Sequence, residues 1–171
     1  MQASYNPLAK FFHWAVVLAV LIQYGSVLLL DEDSGSSSII NFHMSFGIVI
    51  LVLMLARLLW RLSTTVPPHD PTMPWWQSLA SSATHFGLYA LLTAMPLIGW
   101  LWTSALQWQV VVFGILPLPF LISYSENLAE ILGELHEITG TLILCLIGLH
   151  IAAALYHWII VKDGVMQRML P

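Results

Sequence analysis

The residues that could do chemistry in this chain are its histidines. There are seven: His13, His43, His69, His85, His136, His150 and His157. Only His69 falls in an evident loop; the other six sit in or at the ends of strongly apolar runs. Ionisable side chains are rare in such runs and usually mark function. His136 and His150 are 14 residues apart. On one helix that spacing rises about 21 Å and closes nearly four turns, so both imidazoles share a face at two depths. Two b-type haems stacked across a bilayer need this arrangement, because each iron takes axial imidazoles. Each haem then needs a second imidazole from another helix. His43 opens the second apolar run at the depth of His136, and His13 lies toward the opposite end of the first run. From depth alone, His13 pairs as well with His157, seven residues beyond His150 on the same face, as with His150; His85 is a further candidate. One turn after His43 and His136 stand Gly47 and Gly140, where a missing side chain leaves room for a flat macrocycle.

Other chemistries fit less well. A lone histidine in a membrane helix can simply hydrogen-bond its neighbour, but four at matched depths ask for more. A histidine–carboxylate proton relay needs an acid inside a span, and the apolar runs contain none. Nothing resembles the short ligand spacing of a zinc site. The single cysteine, Cys145, excludes an internal disulfide, Cys-x-x-Cys zinc sites, cysteine-ligated iron–sulfur clusters and the C-x-x-C-H attachment of covalent haem.

These histidines must be held by membrane helices. Of 171 residues, 58% are hydrophobic and only 8% charged, against about 25% charged in an ordinary soluble domain. The mean hydropathy is +0.82. Each span needs about 20 apolar residues, so four nearly exhaust the chain. The expected architecture is an all-α membrane protein, a single domain over 1–171. Its four-transmembrane-helix bundle covers about 8–30, 41–62, 79–102 and 135–161 and holds two b haems. The first run is too long for a signal peptide and is followed by D-E-D-S-G-S-S-S, not a cleavage site, so it reads as an uncleaved helix. Pro96 and Gly99 predict a kink in helix three. The loop Thr103–Glu134 carries two prolines in G-I-L-P-L-P-F, and a short surface helix capped by Ser125 is expected at about 125–134.

Charge sets the orientation. Lys10, Arg57, Arg61, Lys162 and Arg168 fall on one side of the bundle. The opposite loops hold Asp31, Glu32, Asp33, Glu126, Glu130, Glu134 and Glu137 and no base. The positive-inside rule then puts both termini in the cytoplasm. Tryptophans fit two interfacial belts: Trp14, Trp60, Trp75, Trp76 and Trp158 on the basic side, and Trp100, Trp102 and Trp108 on the other. With net charge -4 and no basic run, nucleic acid is excluded as a partner.

Several short motifs follow one another along the whole chain. They are F-F-H-W (Phe11–Trp14), N-F-H-M-S-F-G (Asn41–Gly47), R-L-L-W-R-L, H-F-G-L-Y-A-L-L (His85–Leu92), P-L-I-G-W, V-F-G-I-L-P-L-P, E-L-H-E-I-T-G, G-L-H-I-A-A-A-L-Y-H and K-D-G-V-M-Q-R-M-L-P. In this order they resemble the bacterial cytochrome b561 family, dihaem cytochromes of the inner membrane. The resemblance implies that His13 and His150 hold one haem iron on the cytoplasmic side, and His43 and His136 the other near the periplasm. His157 matches a further family histidine where quinone docks, and His85, Arg57, Arg61 and Lys162 share that side. The implied activity is an oxidoreductase exchanging electrons with the quinone pool of the respiratory chain. Stand-alone members of the superoxide oxidase type pass electrons from superoxide to ubiquinone. Some members carry lysines in the loop between helices two and three; residues 62–82 here carry no lysine or arginine. Two other functions stay open: a haem b anchor subunit taking electrons from a soluble redox partner, and a histidine-relay transporter without haem.

Overall fold

The computed structural model describes residues 4–29, 37–68 and 73–170. The acidic turn Asp31–Asp33 and the loop histidine His69 lie outside the described residues. Four long helices dominate: α1 (Pro7–Leu28), α2 (Ser37–Ser63), α3 (Trp75–Ala105) and α4 (Glu126–Tyr156). All four are long and apolar enough to cross a membrane. Leu18, Leu21, Val52, Leu59 and Phe86 point outward and are exposed, which suits a lipid solvent that needs no polar cover.

Local chemistry explains the ends. The Asn6 side chain accepts from the Ala9 amide at 2.8 Å, and Pro7 occupies the first helical position, where its missing N–H costs nothing. Ser125 caps α4 through the Leu128 amide. α3 runs as one element through Pro96. The last turn of α4 widens into a π-helical turn over His157–Val161.

Several boundaries differ from the sequence reading; α3, expected over about 79–102, runs from Trp75 to Ala105. α2 begins at Ser37, so His43 stands well inside the helix and does not open it. Ile39 and Ile40 extend the apolar run backward by a turn. Residues 125–134 form no separate surface helix; they are the start of α4. No proline interrupts that stretch, and Ala129 and Leu132 pack with Ala105 at the end of α3. Together with its π turn, the fourth helix covers 36 residues. That is about 54 Å of rise against about 30 Å of hydrocarbon, so its glutamate-bearing first turns project beyond the core.

The principal packings are α1 on α2, α2 on α3 and α3 on α4. A central core of Val16, Ala19, Val20, Ile50, Met54, Leu92 and Ile143 draws on all four helices. A small hairpin, β1 (Val111–Val112) with β2 (Leu116–Pro117), lies between α3 and α4. It leans on α2: the Phe113 amide donates to Ser45 Oγ at 2.8 Å, and the Phe46 and Phe113 rings meet edge to face. At the other end the chain termini are tied together. The Tyr5 amide donates to the Arg168 carbonyl and the Trp14 indole to the Met169 carbonyl. These two ends are called the hairpin end and the terminal end below.

Candidate functional site

Six histidines lie within the described residues, and four of them form two pairs. At the hairpin end, His43 of α2 faces His136 of α4 with ring centres 6.3 Å apart. At the terminal end, His13 of α1 faces His150 of α4 with ring centres 6.2 Å apart. Two imidazoles bonded to one metal, at about 2 Å per bond plus roughly 1.2 Å from nitrogen to ring centre, stand about 6.4 Å apart. Both pairs match that span. His85 of α3 also approaches His150, at 5.3 Å, about an ångström too close to share a metal in this way. His157 turns from the pairs: its ring meets Tyr156, and its Nδ1 lies 2.5 Å from Asp163 Oδ2.

The described residues contain no cluster of three or more His, Cys, Asp and Glu that could hold a metal. Isolated imidazole pairs fit a metal whose other positions are filled by a macrocycle, as in haem with two axial histidines. The donor set therefore suits haem.

The surroundings of the two pairs differ. Ser26 Oγ donates to the Gln23 carbonyl at 2.6 Å and lies 3.2 Å from His43 Nδ1. With its proton committed, the hydroxyl can only accept from Nδ1–H. Gln23 Nε2, a donor, sits 3.1 Å from His43 Nε2, so Nε2 carries the lone pair. This is the tautomer a metal ligand needs, fixed from behind by a neutral hydroxyl. Across the slot, His136 rests on Gly99 of α3. A Cβ there would meet His136 Cε1 at 3.0 Å and Nδ1 at 3.3 Å. His136 Nδ1 is buried without a well-formed hydrogen bond, and the Met95 backbone is the acceptor placed to serve it. Trp102 lies against the same ring at 5.6 Å, so it forms part of the site.

At the terminal end the neighbour is charged. Arg57 Nη2 lies 3.1 Å from His13 Nδ1. Arginine only donates, so here Nδ1 is the acceptor and the proton sits on Nε2. Arg57 and Arg61 both stack on the Tyr89 ring, at 5.1 and 5.5 Å.

The profile described as prokaryotic cytochrome b561 matches residues 4–171. The chain belongs to this family. It is 34% identical to the "Probable superoxide oxidase CybB" of Yersinia pestis over 176 residues, covering 100% of this chain and 98% of the relative. It is 30% identical to "Cytochrome b561 homolog 1" of Escherichia coli (strain K12), covering 94% and 93%. It is also 30% identical to "Cytochrome b561 homolog 2" of the same organism, covering 97% and 90%. The chain is thus a multi-pass bacterial membrane protein of a family of b-type cytochromes, and its work is transmembrane electron transfer.

Sequence reasoning missed the residues around the imidazoles. Gln23 and Ser26 were legible as polar groups inside an apolar run, three residues apart on one face. Gly99 was read only for its effect on the helix axis; its closeness to His136 was not foreseen. Asp163 follows the helix end by two residues and returns to His157 only because the π turn and a left-handed Lys162 reverse the chain. No sequence periodicity announces that.

Proposed function

We propose that the chain holds two b-type haems, one between His43 and His136 and one between His13 and His150, and passes electrons between a donor and ubiquinone. The observation that carries this reading is the pair of imidazole spans, 6.3 and 6.2 Å, anchored on α4 by residues 14 positions apart. Bound haem supplies a one-electron carrier at each pair. The haem would be held without covalent attachment, its iron ligated by the histidines, since the single cysteine offers no thioether pair. The central core keeps water from the path between the pairs. The terminal end is read as the cytoplasmic one, because all five basic residues lie on that side. Dithionite-reduced minus oxidised spectra should show b-type bands, with pyridine haemochrome giving about two haems per chain. A reproducible value near one removes a site from this reading, and no haem at all restores the transporter.

Quinone exchange is placed at the terminal end, beside His157. Reduction of one quinone takes up two electrons and two protons, and histidine is the side chain suited to pass protons near neutral pH. His157 is held by Asp163 through Nδ1, leaving Nε2 for a ligand. His157→Ala should keep both haems and slow their oxidation by a soluble quinone analogue; unchanged kinetics moves the quinone site elsewhere. For the donor, the relative from Yersinia suggests superoxide, two anions giving two electrons per quinone reduced.

A second donor is favoured by one observation. Glu126, Glu130, Glu134 and Glu137 are all exposed on the hairpin end of α4. A like-charged face lowers the local concentration of an anion and attracts a cationic partner. A soluble redox protein with a basic face would fit there. Raising salt should slow haem reduction by such a protein and quicken reduction by superoxide.

A further inference from the structure

Arg57 and Arg61 flank one tyrosine inside the terminal end of the bundle, and among the described residues no ion pair joins either to a carboxylate. A small cavity lined by Asn6, Trp60, Thr64 and Tyr89 opens beside them. Two guanidinium groups drawn together without an acid call for an anion. The identity of that anion follows from the contact Arg57 makes. Arg57 donates to His13 Nδ1 at 3.1 Å. A neutral histidine that ligates iron through Nε2 carries its proton on Nδ1. Two donors cannot face each other, so ligation of haem by His13 must release Arg57. The released guanidinium then needs an acceptor, and a haem brings its own: two propionate carboxylates.

We propose that Arg57 and Arg61 form the propionate-binding site of the terminal-end haem, with Arg57 exchanging His13 Nδ1 for a propionate oxygen when haem binds. This rests on the haem pairing of His13 with His150 proposed above. Bidentate guanidinium–carboxylate pairing is the strongest form such a contact takes. Both guanidiniums lie over the Tyr89 ring, and their i, i+4 spacing puts them on one face of α2, two donors for two carboxylates. A phospholipid phosphate offers similar chemistry, but Arg57 touches the haem ligand itself.

The test uses the holoprotein made with haem isotopically labelled at the propionate carboxyl carbons. In redox-difference infrared spectra, the isotope-sensitive carboxylate bands should shift in Arg57→Gln and in Arg61→Gln. Loss of the terminal-end haem to apomyoglobin should quicken by about tenfold in Arg57→Gln, the loss of one charge-assisted hydrogen bond. Arg57→Lys should recover part of the retention and not the band position, because lysine keeps the charge without the fork. Labelled bands identical in wild type and both glutamine variants overturn the proposal; if those variants also lose co-purifying phospholipid, the anion is a lipid phosphate. His13→Ala separates the two readings. If that variant kept both haems, the pairing itself would be wrong, whatever the arginines do.

Discussion

The two histidine pairs have nearly the same span and opposite surroundings. At the hairpin end His43 is backed by a serine and a glutamine, and its Nε2 already carries the lone pair. At the terminal end His13 is backed by an arginine that imposes the other tautomer. In the first site Nδ1 already carries the proton and only the neutral Gln23 amide must leave Nε2; in the second, binding must move a cation and shift the proton between ring nitrogens. Preorganisation favours retention, because fewer groups reorganise on binding. A cation that must move instead couples binding to local charge. The hairpin-end haem should therefore be the more firmly held of the two, and the terminal-end haem the more responsive to its electrostatic neighbours.

The largest effects should come from removing ligands. His43→Ala and His136→Ala should lose the same haem, and His13→Ala and His150→Ala the other, each variant falling from about two haems per chain to about one. His85→Ala should keep both, although His85 lies closer to His150 than His13 does. Haem counting and low-temperature difference spectra of the five variants check this. A loss of the terminal-end haem in His85→Ala, with retention in His13→Ala, would replace the pairing and erase the contrast between a serine-backed and an arginine-backed site. Ligand loss should also lower the melting temperature, since bound cofactor stabilises the folded state.

A smaller effect should follow from Gly99→Ala. The new methyl would stand 3.0 Å from His136 Cε1, tighter than nine in ten such contacts, so the ring must give by a few tenths of an ångström. The imidazole, already flanked by Trp102, must tilt. Overpacking of this kind costs about 1–3 kcal/mol, or roughly tenfold to a hundredfold in hairpin-end haem affinity, with the terminal-end haem untouched. Equal loss from both sites would show that Gly99 serves the bundle as a whole. Gly47, by contrast, has room: a Cβ there meets only Gln23 Nε2, at 3.7 Å. If Gly47→Ala nonetheless weakened the hairpin-end haem, the macrocycle itself would be what needs the space.

The difference between Gly99 and Gly47 shows what could be read from sequence and what could not. The four helices, their order and the two depths of histidine follow from hydropathy and from helical periodicity, both local along the chain. His136 and His150 share a helix, so their relation is a matter of counting. His13 and His43 reach α4 from other helices, and depth alone could not choose between His150 and His157 for His13. That choice depends on how α1 rotates about its axis, which packing of Val16, Ala19 and Val20 against the core determines. The contacts behind the ligands are further removed still. Ser26 meets His43, and Arg57 meets His13, through tertiary approaches across 17 and 44 residues. The helical continuity of 126–134 was missed for a related reason. An amphipathic stretch reads as a surface helix until a partner for its apolar face is known, and the partner, the end of α3, is distant in sequence.

The smallest effect, and the finest test of the contrast, belongs to Ser26→Ala. The hydroxyl accepts from His43 Nδ1–H, so its loss leaves that proton without its acceptor in a buried place. Removing such a partner behind a metal-bound histidine commonly costs tenfold to a hundredfold in affinity. The lower figure is expected here, because the helix still confines the ring. Haem loss from the hairpin end should quicken by about tenfold, and the hairpin-end reduction potential should rise, since a ligand robbed of its acceptor is a poorer donor to the oxidised iron. Ser26→Thr keeps the hydroxyl and should restore both properties. The terminal-end haem should not respond to either variant, just as the hairpin-end haem should ignore Arg57→Gln. If Ser26→Ala shifted both potentials together, the two sites would be coupled through the central core, and the separation of a neutral, preset site from a charged, yielding one would fail.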